Sequence, residues 1–422
     1  MAGIVLGLKA DVATSAILAP VLGAGYSEAE NQHHTLLISI PVLAVLSIRM
    51  LLYILSRKKS MSIPALNSVD LGLFGLAVVV GFGSFRGESF VFGTEIVARL
   101  LVFGISYYIF ARTAIACKED VRRSVMHFMI FHWLLAFGVG LYVLSNAAET
   151  IGKLTLAKVN PISFSILMGD AVLVTLFWLL AAKPSSKLVM LLLLFSLPLF
   201  GYLMLASAER GPLLSLIIGA AFLSGALLLI GNEVRNFAFF GIFLCAILMS
   251  GIVVHITKPE ISEGFAERLS DIQSGEHTVG ARLRLYSQAL DFFDESPLFG
   301  CGTGTVEMTN HRGLYVHNLI LEIAAEQGAV GLALLALFLA GLIGRIKSSI
   351  LIYHDPICAF FAAAMLFHFV ESMVSGTLWT YKEFYFTAGM LVFLEFLARE
   401  NHNCFLQAEC STCKYECLSR SK

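Results

Sequence analysis

Polar and apolar positions in this chain segregate into long blocks. Apolar runs of 17 to 27 residues lie near 34–55, 69–85, 90–116, 124–145, 161–182, 187–207, 211–230, 236–256, 329–345, 356–376 and 382–398. At about 1.5 Å of rise per residue, helices of this length cross a hydrocarbon core about 30 Å thick. Continuous runs, as opposed to strict alternation, predict helices and argue against a membrane β-barrel. Residues 1–24 are also apolar but carry Lys9 and Asp11 and lack the basic start of a cleaved signal. They read as a weak first span or a helix lying in the interface.

The pattern therefore predicts an all-α, polytopic membrane protein of about twelve transmembrane helices. Nine fall in residues 1–256 and three in 329–398, separated by a hydrophilic stretch over 257–328 that carries amphipathic helices. A Cys-rich tail occupies 399–422. Composition agrees with this class: 57% of the 422 residues are hydrophobic, 14% are charged, and the mean hydropathy is +0.80. A net charge of −1 with no long basic run gives no reason to expect a nucleic-acid partner.

The distribution of charge orients the chain. One set of alternate loops holds Arg57, Lys58, Lys59, Lys118, Arg122, Arg123, Lys183, Lys187, Arg235, Arg345 and Lys347, whereas the other short loops hold only Arg86, Lys153, Lys158 and Arg210. Lys and Arg mark the cytoplasmic side. The hydrophilic stretch then lies outside and the tail inside, and this holds for every later loop even if the first segment does not cross.

The outer face is where chemistry concentrates. Arg210 sits in SAERGPLL at the turn between two spans. Arg282 and Arg284 sit in GARLRLYSQALDFF, whose apolar residues at 283, 285, 286, 289, 290, 292 and 293 predict an amphipathic helix on the membrane surface. SPLFGCGTGT follows, with Pro297 stopping that helix and Gly300, Gly302 and Gly304 permitting a tight turn. The stretch YVHNLILEIAAEQGAVG comes next. Residues 317–328 predict a helix of about 18 Å, too short to span. Asn318, Glu322 and Glu326 share one of its faces. His317 stands at its entrance, Asn318 is a candidate N-cap, and Gly328 and Gly331 allow a bend into the following span.

These stretches resemble the C-terminal signature of the O-antigen ligase and O-antigen polymerase superfamily. RLRLYSQAL, DESPLFGCGTG and HNLILEIAAEQGAVG carry the resemblance. RGPLLSL is similar to an earlier Ser-Arg-Gly element, with Glu209 where a serine is usual. The specific motifs cover residues 207–341.

The resemblance implies a GT-C type fold and a glycan donor linked to undecaprenyl diphosphate. It also implies transfer, with inversion, to a hydroxyl of a lipid A–core sugar or another glycan at the periplasmic face of the bacterial inner membrane. Arg210, Arg282 and His317 are the residues carried over as catalytic. Arg86, Arg268, Arg284, Asn318, Glu322, Gly300 and Gly302 are expected to assist substrate binding, Arg86 and Arg268 without a motif match.

The chemistry suits that assignment. Arginines present paired donors to phosphate and stay charged where water is scarce. An imidazole can take or orient the proton of an acceptor hydroxyl. No DxD pair occurs in the outer stretch, where Asp291 and Asp294 are spaced D-x-x-D, so a metal-independent reaction with no cofactor is expected.

Other readings stand beside these. Glu322 and Glu326 read first as structural support. Asp170, His132 and Glu371 lie inside apolar blocks, where polar groups are costly and serve either function or bundle-interior hydrogen bonds. Cys404, Cys410, Cys413 and Cys417 could bind zinc but read equally as free or acylated thiols. Cys301 is the only cysteine of the large outer loop, so no disulfide is expected within it. A polymerase uses the same residues with a second lipid-linked repeat as acceptor. A transporter of lipid-linked glycans would instead show midplane charges and inverted repeats.

Overall fold

Among the described residues, the long apolar blocks are helical. The structure, a computed structural model, describes residues 65–113, 121–146, 148–150, 153–155, 161–182, 184, 186–231, 235–257, 259, 278–310, 315–378 and 381–409. The expected first segment, the block near 34–55, Arg268 and the four tail cysteines lie outside the described residues.

In chain order the helices are α1 (Ser68–Gly83), α2 (Phe90–Thr113), α3 (Val121–Asn146), α4 (Pro161–Ala182), α5 (Lys187–Ala206), α6 (Arg210–Gly231) and α7 (Arg235–Thr257). They continue with α8 (Thr278–Glu295), α9 (Thr305–Thr309), α10 (Leu319–Leu351), α11 (Pro356–Ser372) and α12 (Lys382–Glu409). A two-stranded antiparallel ribbon, Ala148–Thr150 with Lys153–Thr155, is the only strand pairing among the described residues.

Seven of the described helices are long and apolar enough to cross a membrane: α2 to α7 and α10. α1 and α11 are apolar but shorter, at 16 and 17 residues. This is a helical, multi-pass membrane protein.

Charges inside the bundle pair with one another. Asp70 completes a capping box with Asn67 at the start of α1. Its carboxylate also accepts from the Arg112 guanidinium at 2.7 Å and the Tyr108 hydroxyl at 2.8 Å. Two charges that interrupt separate apolar blocks thus cancel at one end of α1 and α2. Removing one member strands the other, at a cost of about 3–5 kcal/mol. Arg112→Met is expected to lower stability by that order, seen as a depressed melting temperature in detergent, and Asp70→Asn in the same background to recover part of it.

Helices α6 and α11 approach closely because Gly211, Ser215 and Gly219 repeat every four residues on the shared face. A β-carbon on Gly219 would lie 3.2 Å from both the Ala363 carbonyl oxygen and the Phe367 side chain. One on Gly211 would lie 2.9 Å from the Glu371 carboxyl. That small-residue stripe brings the last turn of α11 against the first turn of α6, where the site begins.

Candidate active site

Arg210 opens α6, and the backbone reaches it through Ala208, held at φ 58. His317, just before α10, is held at φ 57. Non-glycine residues seldom adopt this left-handed conformation, and such strain concentrates at functional sites. Two of the three described cases flank the residues singled out from the sequence; the third is His354.

His317 precedes Asn318, which caps α10 by accepting from the Leu321 amide at 3.1 Å. The Asn318 side-chain amide reaches the Met373 carbonyl at 3.4 Å, tying the cap to the loop after α11. The imidazole lies against Tyr315, with ring centroids 4.1 Å apart. Its buried Nδ1 has no hydrogen-bond partner among the described residues. Burial and, second, the nearby Arg282 guanidinium hold its pKa down at about 4. At neutral pH the ring is uncharged and has a free nitrogen.

Arg282 comes from α8. This helix does not simply lie on a membrane surface: Leu285 and Ala289 are buried, and Tyr286 and Phe292 pack with Val306, Val316, Leu321 and Ala325. Leu283 and Leu290, on other faces, stay 59% and 49% exposed. Docking of α8 brings Arg282 within electrostatic range of both His317 and Glu371. Among the described residues Arg282 forms no ion pair, and Arg284 is exposed on the same helix.

The glycine-rich turn solves a backbone problem. α10 breaks at Gly328, where φ is 65 and ψ is −158, so the short helix ends and the long one begins there. A break leaves carbonyls and amides without their intrahelical partners. The Cys301 and Gly302 amides donate to the Ala325 and Glu326 carbonyls at 2.8 and 3.0 Å. The Ala329 and Val330 amides donate to Pro297 and Leu298 at 2.8 and 3.1 Å. Gly300, at φ 71, gives its own amide to Ser296. Both glycine amides expected to face substrate are therefore engaged within the protein.

Several other expected ligands serve this scaffold too. The Arg86 guanidinium donates to the carbonyls of Phe299, at 3.0 Å, and of Gly300, and covers the Phe299 ring. Glu322 accepts from the Leu378 amide at 3.4 Å, and Glu326 from the amides of Gly304 and Val306. Cys301 is a free thiol beside Glu326; burial, then Glu326, push its pKa up to about 12, which leaves it unreactive.

Sequence reasoning missed Tyr315 and Tyr381, and placed Glu371 only as a costly residue. Glu371 is wholly buried and accepts from the Ser215 hydroxyl at 3.3 Å, and its Oε1 has no hydrogen-bond partner among the described residues. The Tyr381 hydroxyl donates to the Ser375 carbonyl and shapes the loop between α11 and α12. The signal for Glu371 was there: a carboxylate at the end of an apolar block, and a glycine directly after Arg210. Deeper in the bundle, His368 meets Asp170 at 3.2 Å beside a cavity of about 60 Å³ that His132, Lys382 and Glu383 also line.

The arrangement offers a cation that forms no ion pair among the described residues, a neutral imidazole and a buried carboxyl at one end of the bundle. Against known families, residues 171–336 match the O-antigen ligase family, a span from α4 to α10 that contains Arg210, Arg282 and His317. No curated protein matches the sequence.

Proposed function

We propose, from the premise that residues 171–336 belong to the O-antigen ligase and polymerase superfamily, that this protein is an inverting membrane glycosyltransferase of the O-antigen ligase type. The donor is a glycan on undecaprenyl diphosphate, entering laterally from the bilayer. The acceptor is a hydroxyl of a lipid A–core sugar at the periplasmic face of the inner membrane. The wider reading retains a GT-C type fold of about twelve spans and a reaction that uses no metal.

The observation that carries this reading is the pairing of Arg282 with His317. An arginine that forms no ion pair among the described residues, beside an imidazole kept neutral, suits an anionic ligand and a hydroxyl to be activated. Arg210 and Arg282 hold the diphosphate and stabilise the charge that builds on it as the glycosyl bond breaks. His317 takes the acceptor proton. Arg284, exposed one position beyond Leu283, is a further contact for the lipid headgroup, and Arg268 stays a candidate from the sequence.

His317→Ala with Arg282 intact tests the assignment. Transfer is expected to fall by about 10²–10⁴-fold, the range of a general base, with lipid-linked donor accumulating at the outer face. Unchanged transfer would remove His317 from the mechanism. A polymerase is the second reading, supported by the same family match. Glycan lengths in a deletion strain separate the two: long chains left on the carrier identify a ligase, and single repeats on the core identify a polymerase.

A further inference from the structure

Three buried glutamates surround the site, and they differ in how they are satisfied. Glu326 accepts two backbone amides and Glu322 accepts one, so both hold chain segments in place. The Glu371 carboxyl holds no backbone group among the described residues. It is fully buried and takes one hydrogen bond from Ser215, and its Oε1 has no partner among them. A buried carboxyl with an unmatched oxygen is costly, and such a group calls for an explanation.

Its position is specific. Gly211, directly after Arg210, has no side chain, and any β-carbon there would lie 2.9 Å from the Glu371 carboxyl. The carboxyl therefore abuts the helix turn that presents Arg210. From α8, Arg282 acts electrostatically on both Glu371 and His317. The remaining groups that face Glu371 are Glu209 before α6, His368 on its own helix and Tyr381 before α12. A diphosphate bridging Arg210 and Arg282 would meet this carboxyl. Phosphate oxygens only accept hydrogen bonds, so only the acid form of Glu371 can face them at bonding distance.

We propose that Glu371 is the acid on the leaving-group side of the site, giving its proton to the diphosphate as His317 takes the proton of the acceptor. The acceptor oxygen bonds to the anomeric carbon. The bond from that carbon to the diphosphate oxygen breaks, and its electron pair stays with the diphosphate, which receives the Glu371 proton. The transfer leaves a carboxylate and an imidazolium, and both return to their starting forms by proton exchange with water at the outer face.

The inference rests on the glycosyltransferase reading, and one experiment separates the two. The full chain is assayed in nanodiscs with a synthetic undecaprenyl-diphosphate oligosaccharide as donor and glycan-free core lipopolysaccharide as acceptor. Glu371→Gln keeps shape and the Ser215 contact but has no acid proton. It is expected to lower kcat by about 10²-fold or more, to leave the donor KM within about twofold, and to lose the alkaline limb of the kcat–pH profile. Glu371→Asp is expected to retain that limb at a reduced rate.

A Gln variant with near-normal kcat overturns the proposal, as does one that raises donor KM alone. The same holds for an Asp variant lacking the limb. If Arg282→Gln and His317→Gln also transfer normally, the glycosyltransferase reading itself fails.

Discussion

Arg282→Gln is expected to lower kcat/KM for the lipid-linked donor by about 10²–10³-fold, the loss seen when one charge-stabilising donor is removed from a developing anion. The protein makes no ion pair with this guanidinium among the described residues, so its removal strands no buried carboxylate in a salt bridge and the fold should survive. Arg282→Lys should recover only part of the loss, because an ammonium cannot present the same paired donors to a diphosphate.

The variant also reports on His317. The imidazole is held at about 4 by burial first and by Arg282 second. In the free enzyme the base is therefore neutral, and kcat/KM should stay flat as pH falls, dropping only as pH nears 4. Removing the charge takes away the second cause and leaves the first. The acid limb of the residual activity should shift upward yet stay below the ordinary histidine value near 6.5. A limb that does not move would mean that Arg282 and His317 do not share a site.

The helices were legible because hydropathy alone decides which segments a bilayer accepts. The break near residue 328 was legible as well: a carboxylate face too short to span, followed by two glycines, has few other structures open to it. What surrounds the break was not. SPLFGCGTGT reads as a tight turn, but not as one whose Cys301 and Gly302 amides complete the hydrogen bonds that Ala325 and Glu326 lose at the break. That pairing joins residues more than 20 positions apart, and no local pattern announces it.

The surroundings of Arg86 were hidden for a related reason. It matches no motif, and its partners in the protein, the carbonyls of Phe299 and Gly300, come from over 200 residues away. Glu371 shows the converse. Its cost inside an apolar block was visible, but its meeting with Gly211 depends on how α6 packs against α11.

The largest structural effect is expected at Gly300. Its φ of 71 lies in the left-handed region, and an added β-carbon would stand 2.5 Å from the Gln327 amide nitrogen, with the Glu326 backbone as close. The obstacle is the Glu326–Gln327 backbone, so no side chain can turn away to make room. Strain and overpacking together are expected to cost about 2–6 kcal/mol in Gly300→Ala. The loss should be local in origin and wide in consequence. Pushing the turn off α10 breaks the Cys301 and Gly302 bonds to Ala325 and Glu326, and releases the Arg86 clamp. α8 then loses the Ala325 face on which Arg282 is positioned.

Gly344→Ala is the matching control, since a β-carbon at Gly344 in α10 meets nothing within 4 Å. It should melt at or slightly above the wild-type temperature, as alanine favours a helix over glycine by about 1 kcal/mol. Gly300→Ala should melt well below it, expose the 278–310 segment to protease and lose transfer. Full activity in Gly300→Ala would show that the turn does not hold the site together.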